Sequence, residues 1–205
     1  LGAISCLVGK GDSVYLDKMQ HGGILRALQV SERGGITGFI DGVDGYDRLP
    51  EDLRKRLENR RVVYQINLPD RQPYSTRSTV RILKQSERVK SLFGRRDRDF
   101  PPVSHPLVFV HPDNGKKVLN FSPGHALYIE GMAKDESHEL LTKLADFVFD
   151  SPAYHHKWST NELLLWDNWR MVHMVSVIPY DQVRIMQRTT IAGDYGFGRR
   201  VSTAA

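Results

Sequence analysis

A single cysteine, Cys6, stands among 205 residues. It excludes an internal disulfide framework and fits a reducing compartment, so a cytoplasmic location is expected. No apolar run approaches the roughly 18 to 20 residues needed to cross a bilayer, and no signal peptide is visible. No internal repeat or low-complexity segment breaks the chain. Charge of one sign is not in excess either, with 29 Lys and Arg against 24 Asp and Glu, a net +5. The densest basic run, Gly94-Arg95-Arg96-Asp97-Arg98-Asp99, lacks the broad stripe and interleaved aromatics of a nucleic-acid reader. Neither a membrane nor a nucleic acid is therefore expected as partner, and a small anion suits the mild positive balance. The chain opens at Leu1 in strand-like character with no turn before it, so the N-terminal part of the fold is expected to be missing.

Apolar residues make up 40% of the chain, enough for a sizeable core. One domain over 1–205 is expected. Ile24 to Val30 and Thr37 to Asp41 read as strands around the turn Ser31 to Gly35. A short helix is predicted over Leu49 to Arg60, where Leu49, Leu53 and Leu57 share a face. Arg61 to Ile66 is strand-like. Residues 68–104 are polar, basic and proline-bearing without a steady period, which predicts a lid-like insertion. His111-Pro112-Asp113-Asn114-Gly115 marks a hairpin turn. Asp135 to Asp150 is the clearest helix, with Leu140, Leu141, Leu144, Phe147 and Val148 as its stripe and Pro152 beyond it. Strands dominate from there to about Ala192. The balance is mostly β with flanking helices, a sandwich or barrel.

The segment from Leu163 to Asp194 carries the chemistry. His173 sits in an apolar run, which suits either a hydrogen-bonded core residue or a metal ligand. Arg184 and Arg188, four apart on a strand, point to one face. The strand is half-buried, so its arginines need an anionic partner, either a protein carboxylate or a bound one.

Trp166-Asp167-Asn168, His173, and Arg184 with Arg188 in RIMQRTTIAGD resemble the C-terminal core of the taurine and 2,4-dichlorophenoxyacetate dioxygenase family. His105-Pro106-Leu107-Val108, His111-Pro112, Gly115-Lys116 and Leu119-Asn120 resemble a further run of that family. Gly34-Gly35-Ile36-Thr37, Tyr46 and Leu49-Pro50 do so as well. Several motifs in the right order are more specific than any one of them. The resemblance implies a double-stranded β-helix (jelly-roll) and a dioxygenase dependent on Fe(II), 2-oxoglutarate and O2. Such an enzyme hydroxylates a small substrate and releases succinate and CO2. The resemblance makes His173 and Asp12 iron ligands, gives Arg184 and Thr37 the far carboxylate of 2-oxoglutarate, and gives Arg188 the anionic group of the substrate, a carboxylate or sulfonate. It also implies association into homo-oligomers. Trp166 and Asn168 shape the pocket or serve as core packing and turn cap. Among the lid arginines Arg77, Arg81 and Arg95, the solvated-loop reading outweighs substrate contact.

Lys10 stands where the resemblance calls for the second histidine of the iron site, and a protonated lysine has no lone pair to give. Two readings follow. Either the ligand is lost, leaving a catalytically silent jelly-roll that binds a small anion or a protein, or the sequence is not continuous between about Val8 and Asp12. Leu1 to Gly11 resembles a segment that family members carry well upstream, which favours the second. Asp17 is an alternative carboxylate at the wrong spacing, and His21, near the right strand, is an alternative donor for which a surface-turn role is favoured.

Overall fold

The computed structural model describes residues 3–6, 22–66, 74, 91, 93–190 and 197–201. Asp12, Lys10, Asp17, His21, Arg77 and Arg81 lie outside the described residues.

Two antiparallel sheets make the body of a jelly-roll. In the first, β1 (Ala3–Cys6), β10 (Leu163–Asp167), β2 (Gly22–Gln29) and β12 (Ile185–Thr190) are neighbours in that order. In the second, β11 (Met171–Val175), β3 (Thr37–Asp41) and β9 (Tyr154–His156) are neighbours. Alternation decides which side chains face inward. Thr37, Phe39 and Asp41 project from one face of β3, and the register places Phe39 opposite both His173 and Tyr154. Trp166, from the first sheet, has its ring 5.3 Å from Phe39 and 4.9 Å from His173. The inner faces of the two sheets therefore meet around these rings. Phe39, Leu164, Trp166 and Met171 form that small core.

A larger core lies beside the barrel. A third sheet runs β13 (Arg199–Arg200), β5 (Val103–Pro106), β4 (Arg61–Tyr64), β8 (Ala126–Ile129), and β6 (Val108–Val110) pairs with β7 (Lys117–Leu119). Helix α2 (Glu51–Leu57) contributes Leu53 and Leu57 to this core. Helix α4 (Lys134–Phe149) contributes Leu140, Leu141, Leu144 and Val148, which pack with Val62, Leu107 and Ile129. The heptad-like stripe read from the sequence is the buried face of α4. Asp135 and Glu136 occupy its first turn, where they complement the helix dipole.

The predicted lid narrows at its C-terminal side. Phe93–Arg95 form a 3-10 turn, α3 spans Arg96–Asp99, and Val103 and Ser104 already belong to β5. Gln65 Nε2 donates to Asp97 Oδ1 at 2.8 Å and to the Phe100 carbonyl at 3.2 Å, tying this stretch to the third sheet. Arg95 pairs with Asp99 at 3.4 Å, so its charge has a partner within the segment.

Helix α1 (Gly42–Asp47) was not expected, because its sequence GVDGYD is poor in helix formers. Tertiary contacts hold it. The Asp41 carboxylate accepts from the Val43 N–H at 2.9 Å, capping the helix. Gly42 N–H donates to the Arg170 carbonyl at 2.8 Å, and a Cβ on Gly42 would stand 2.7 Å from Val118 Cγ1. Arg170 grips Asp41 with two parallel hydrogen bonds, one from Nε at 2.8 Å and one from Nη2. Burial alone would raise the Asp41 carboxyl, but the Arg170 bonds and the Val43 amide outweigh it and hold it below the usual range. The folded-state value being depressed, this stability is present above the ordinary carboxylate range and is lost as pH falls through the folded value. Asp41→Asn is expected to lose about 2 to 4 kcal/mol at pH 7, since Arg170 is left half-buried and unpaired. Urea midpoints at pH 7 and pH 3 check this, and the gap between variant and wild type should shrink at the lower pH.

Candidate active site

His173 lies in the middle of β11, and its ring is held from two sides by Phe39, 5.9 Å away and nearly parallel, and by the edge of Trp166. Burial, with a smaller contribution from the Arg188 charge, lowers its pKa to about 4. At neutral pH the imidazole is thus uncharged and its ring nitrogens keep a free lone pair, the state a metal ligand requires. Among the described residues no three His, Cys, Asp or Glu side chains gather as a metal cluster, and Asp12 stands outside them.

Two residues along β3 from Phe39, on the same face, is Thr37, only 2% exposed. Its hydroxyl oxygen accepts from Trp158 Nε1 at 2.8 Å and, at a longer 3.4 Å, from Arg184 Nη2. Arg184 precedes β12. Met186 and Arg188 pair with Ala27 and Leu25, and Gly23, on the same face of β2, lies against the Trp166 ring. The register with β2 shifts between Ile185 and Met186, and the Nη2 contact with Thr37 brings Arg184 to that inward face too. Arg188 is exposed at the more open part of it.

The turn before β3 makes room for Arg184. Gly34 and Gly35 both have left-handed backbones, at φ of 72° and 68°. A Cβ on Gly35 would sit 2.6 Å from Ser31 Oγ and 2.9 Å from Arg184 Cδ, so only glycine lets the arginine stem lie across the turn. The guanidinium borders a cavity of about 370 Å³ shared with Gly34, Gly35, Trp158, Lys157 and Glu32, whose carboxylate forms no ion pair with it. Its Nε is buried with no hydrogen-bond partner, and no carboxylate among the described residues pairs with it. Burial draws the Arg184 pKa down from its ordinary value, as expected of a cation without a counter-charge. A half-buried guanidinium with an unpartnered Nε and no carboxylate beside it is the donor set that a carboxylate completes.

The site residues inferred from sequence thus divide. His173, Thr37, Arg184 and Arg188 share one inward surface, whereas Asp12 cannot be placed. Trp166 is 1% exposed, packs in the core and backs the His173 ring, and its Nε1 donates to Asn168 Oδ1 at 3.2 Å, while the amides of the turn are taken by Asp167 and not by Asn168. Three other features escaped the sequence reading. Asp167 takes the backbone amides of Trp169 and Arg170 on one oxygen and faces His111 Nε2, 2.9 Å away, with the other, locking the turn before β11 to the β6–β7 hairpin. His156, buried opposite Thr37, is 3.1 Å from the Tyr154 hydroxyl and 3.3 Å from Glu162. Trp158 binds Thr37, and the signal for it was a lone large aromatic in the polar run HHKWSTNE.

Residues 9–190 match the family model described as taurine catabolism dioxygenase TauD, TfdA family. The (S)-phenoxypropionate/alpha-ketoglutarate-dioxygenase of Sphingobium herbicidovorans is 35% identical over 184 residues, covering 89% of this chain and 61% of its own length. The alpha-ketoglutarate-dependent 2,4-dichlorophenoxyacetate dioxygenase of a Burkholderia species is 31% identical over 183 residues, covering 89% and 57%. This chain therefore spans about three fifths of the length of these relatives. Among solved structures, AAD-2 in complex with Mn(II) and N-oxalylglycine superposes with a TM-score of 0.67 at 27% identity, over 87% of this chain and 65% of that one. A taurine dioxygenase from Burkholderia xenovorans, at 23% identity, shares the fold with a TM-score of 0.68 over 90% and 59%. The chain belongs to the TauD, TfdA family of dioxygenases.

Proposed function

We propose that this chain is the core of an Fe(II)- and 2-oxoglutarate-dependent dioxygenase that hydroxylates a small anionic substrate, a carboxylate or sulfonate. The observation that carries the reading is the half-buried Arg184 guanidinium, which has a buried, unpartnered Nε and no carboxylate partner among the described residues, on the same inward face as a neutral His173. A half-buried guanidinium without a carboxylate partner suits a bound anion, and a neutral imidazole on the same face suits a metal. The relatives named as alpha-ketoglutarate-dependent dioxygenases point to a ligand that unites the two.

In this reading His173 and Asp12 hold iron together with a histidine that Lys10 does not supply. When bound, iron supplies the redox chemistry that couples decarboxylation of 2-oxoglutarate to succinate and CO2 with O2-dependent hydroxylation of a C–H bond. The chain's own residues do the rest. Arg184 neutralises the far carboxylate of the cosubstrate and Thr37 gives it a hydroxyl hydrogen bond. Phe39 and Trp166 fix the imidazole plane and keep water from it. Arg188, exposed on the same face, holds the substrate's anionic group. The insertion read at 68–104, less the β5 residues Val103 and Ser104, would be the lid that limits solvent access, and a reducing cytoplasmic setting suits the single thiol.

The test is succinate formation from 2-oxoglutarate under air, with Fe(II) and a panel of phenoxyalkanoates and alkylsulfonates. Turnover that needs iron, O2 and the keto acid together is expected. A protein that takes up neither Fe(II) nor 2-oxoglutarate under anaerobic titration would be the silent relative, and the reading would fall.

A further inference from the structure

A hydroxyl has one hydrogen to give and two lone pairs to fill. At Thr37 both lone pairs face N–H donors, Trp158 Nε1 at 2.8 Å and Arg184 Nη2 at 3.4 Å. Among the described residues, Thr37 donates its own hydrogen to none. Trp158 touches the second donor as well, since the Arg184 guanidinium carbon lies 6.0 Å from the centre of the indole ring. One side chain therefore braces both groups of the anion site. It does so from a fixed seat, because the His156 ring stands edge-on at 4.6 Å and His156 is itself 4% exposed.

We infer that Trp158 is a positioning residue that makes Thr37 an obligate hydrogen-bond donor and holds Arg184 beside it, setting the affinity for the distal carboxylate of a dicarboxylate keto acid. Without the indole N–H, the Thr37 hydroxyl can rotate and the site offers the carboxylate a free rotor in place of a directed donor. The loss is specific to a ligand that carries the distal carboxylate. A keto acid ending in a methyl group never meets Thr37 or Arg184 and is indifferent to Trp158. The inference rests on the proposed 2-oxoglutarate site.

Trp158→Phe keeps an aromatic ring and removes the N–H donor together with the fused five-membered ring that carries it. Binding is measured anaerobically, with Mn(II) present, for 2-oxoglutarate and for 2-oxobutanoate. The variant should bind 2-oxoglutarate about tenfold more weakly, the loss of one directed hydrogen bond, and leave 2-oxobutanoate within about twofold. Thr37→Val should show the same split, and the double variant should lose little more than either alone, because the two act through one hydroxyl. In the wild type, the Trp158 indole N–H should exchange slowly with solvent, and faster in Thr37→Val, as read by NMR. Unchanged 2-oxoglutarate binding in Trp158→Phe, equal weakening of both keto acids, or full additivity in the double variant would each overturn the inference while leaving the site itself standing. A wild type that binds 2-oxobutanoate and 2-oxoglutarate equally, or neither, would remove the underlying site instead.

Discussion

Arg184→Ala is expected to weaken 2-oxoglutarate binding by about 100-fold or more, because truncating a buried, charge-assisted partner costs several kcal/mol. The size of the effect follows from the surroundings. The guanidinium has no protein counter-charge among the described residues, its Nε is buried without a partner, and Gly35 has surrendered its side chain to admit the stem. A carboxylate bound there would take nearly all of its compensation from this one residue, with Thr37 second. Arg184→Lys should recover only part of the loss, since an ammonium is a point charge that cannot present two parallel N–H bonds. The apo protein, by contrast, should be no less stable in Arg184→Ala, and removing an uncompensated buried charge can raise its melting temperature. Isothermal titration with 2-oxoglutarate and thermal denaturation without it read the two effects separately. An Arg184→Ala variant with wild-type affinity would take the residue out of the site.

On the proposed function, His173→Ala is expected to abolish Fe(II)-dependent turnover and to lower metal affinity by at least about 100-fold, since it would remove one of the proposed iron ligands. The ring is poised for the role by its environment. Phe39 and Trp166 desolvate it, and with Arg188 nearby they hold its pKa at about 4, so protons do not compete for the lone pair at neutral pH. The sign of the pH effect on the apo protein follows. The folded value lies below the unfolded value of about 6.5, so between the two the unfolded state binds more protons, and stability falls as pH drops from about 6.5 toward 4. The full cost is at most about 3 kcal/mol. His173→Leu should therefore flatten the pH dependence of the urea midpoint in that window. A variant that binds Fe(II) as the wild type does, or a wild type whose stability is flat between pH 6.5 and 4, would contradict this account of the imidazole.

Much of this was legible in the chain as a string. The face of α4 is written in Leu140, Leu141, Leu144 and Val148, because a helix repeats every 3.6 residues and one stripe must be buried. The hairpin at His111 to Gly115 is announced by its turn residues, and β3 was bounded correctly at Thr37 and Asp41. Helix α1 was missed for a physical reason: local propensity argues against GVDGYD, and the helix exists because Asp41 caps it and Arg170 anchors the cap. β8 was missed because four residues carry too little periodicity to separate from a loop.

What the sequence settled by itself is the kind of groups available: one imidazole in an apolar strand, arginines four apart, a glycine pair before a threonine, and a family likeness that joins them. Those are properties of order and spacing along one chain. What only the tertiary structure decided is which groups meet. Thr37 and Trp158 lie 121 positions apart, and Thr37 and Arg184 lie 147 apart. The first contact depends on β9 pairing with β3 and the second on the two sheets closing face to face, and neither hydrogen bond has a signature in either local run. The same closure strips water from His173 and leaves Arg184 without a protein counter-charge in the described fold, because desolvation is a property of the assembled interior and not of any residue in it.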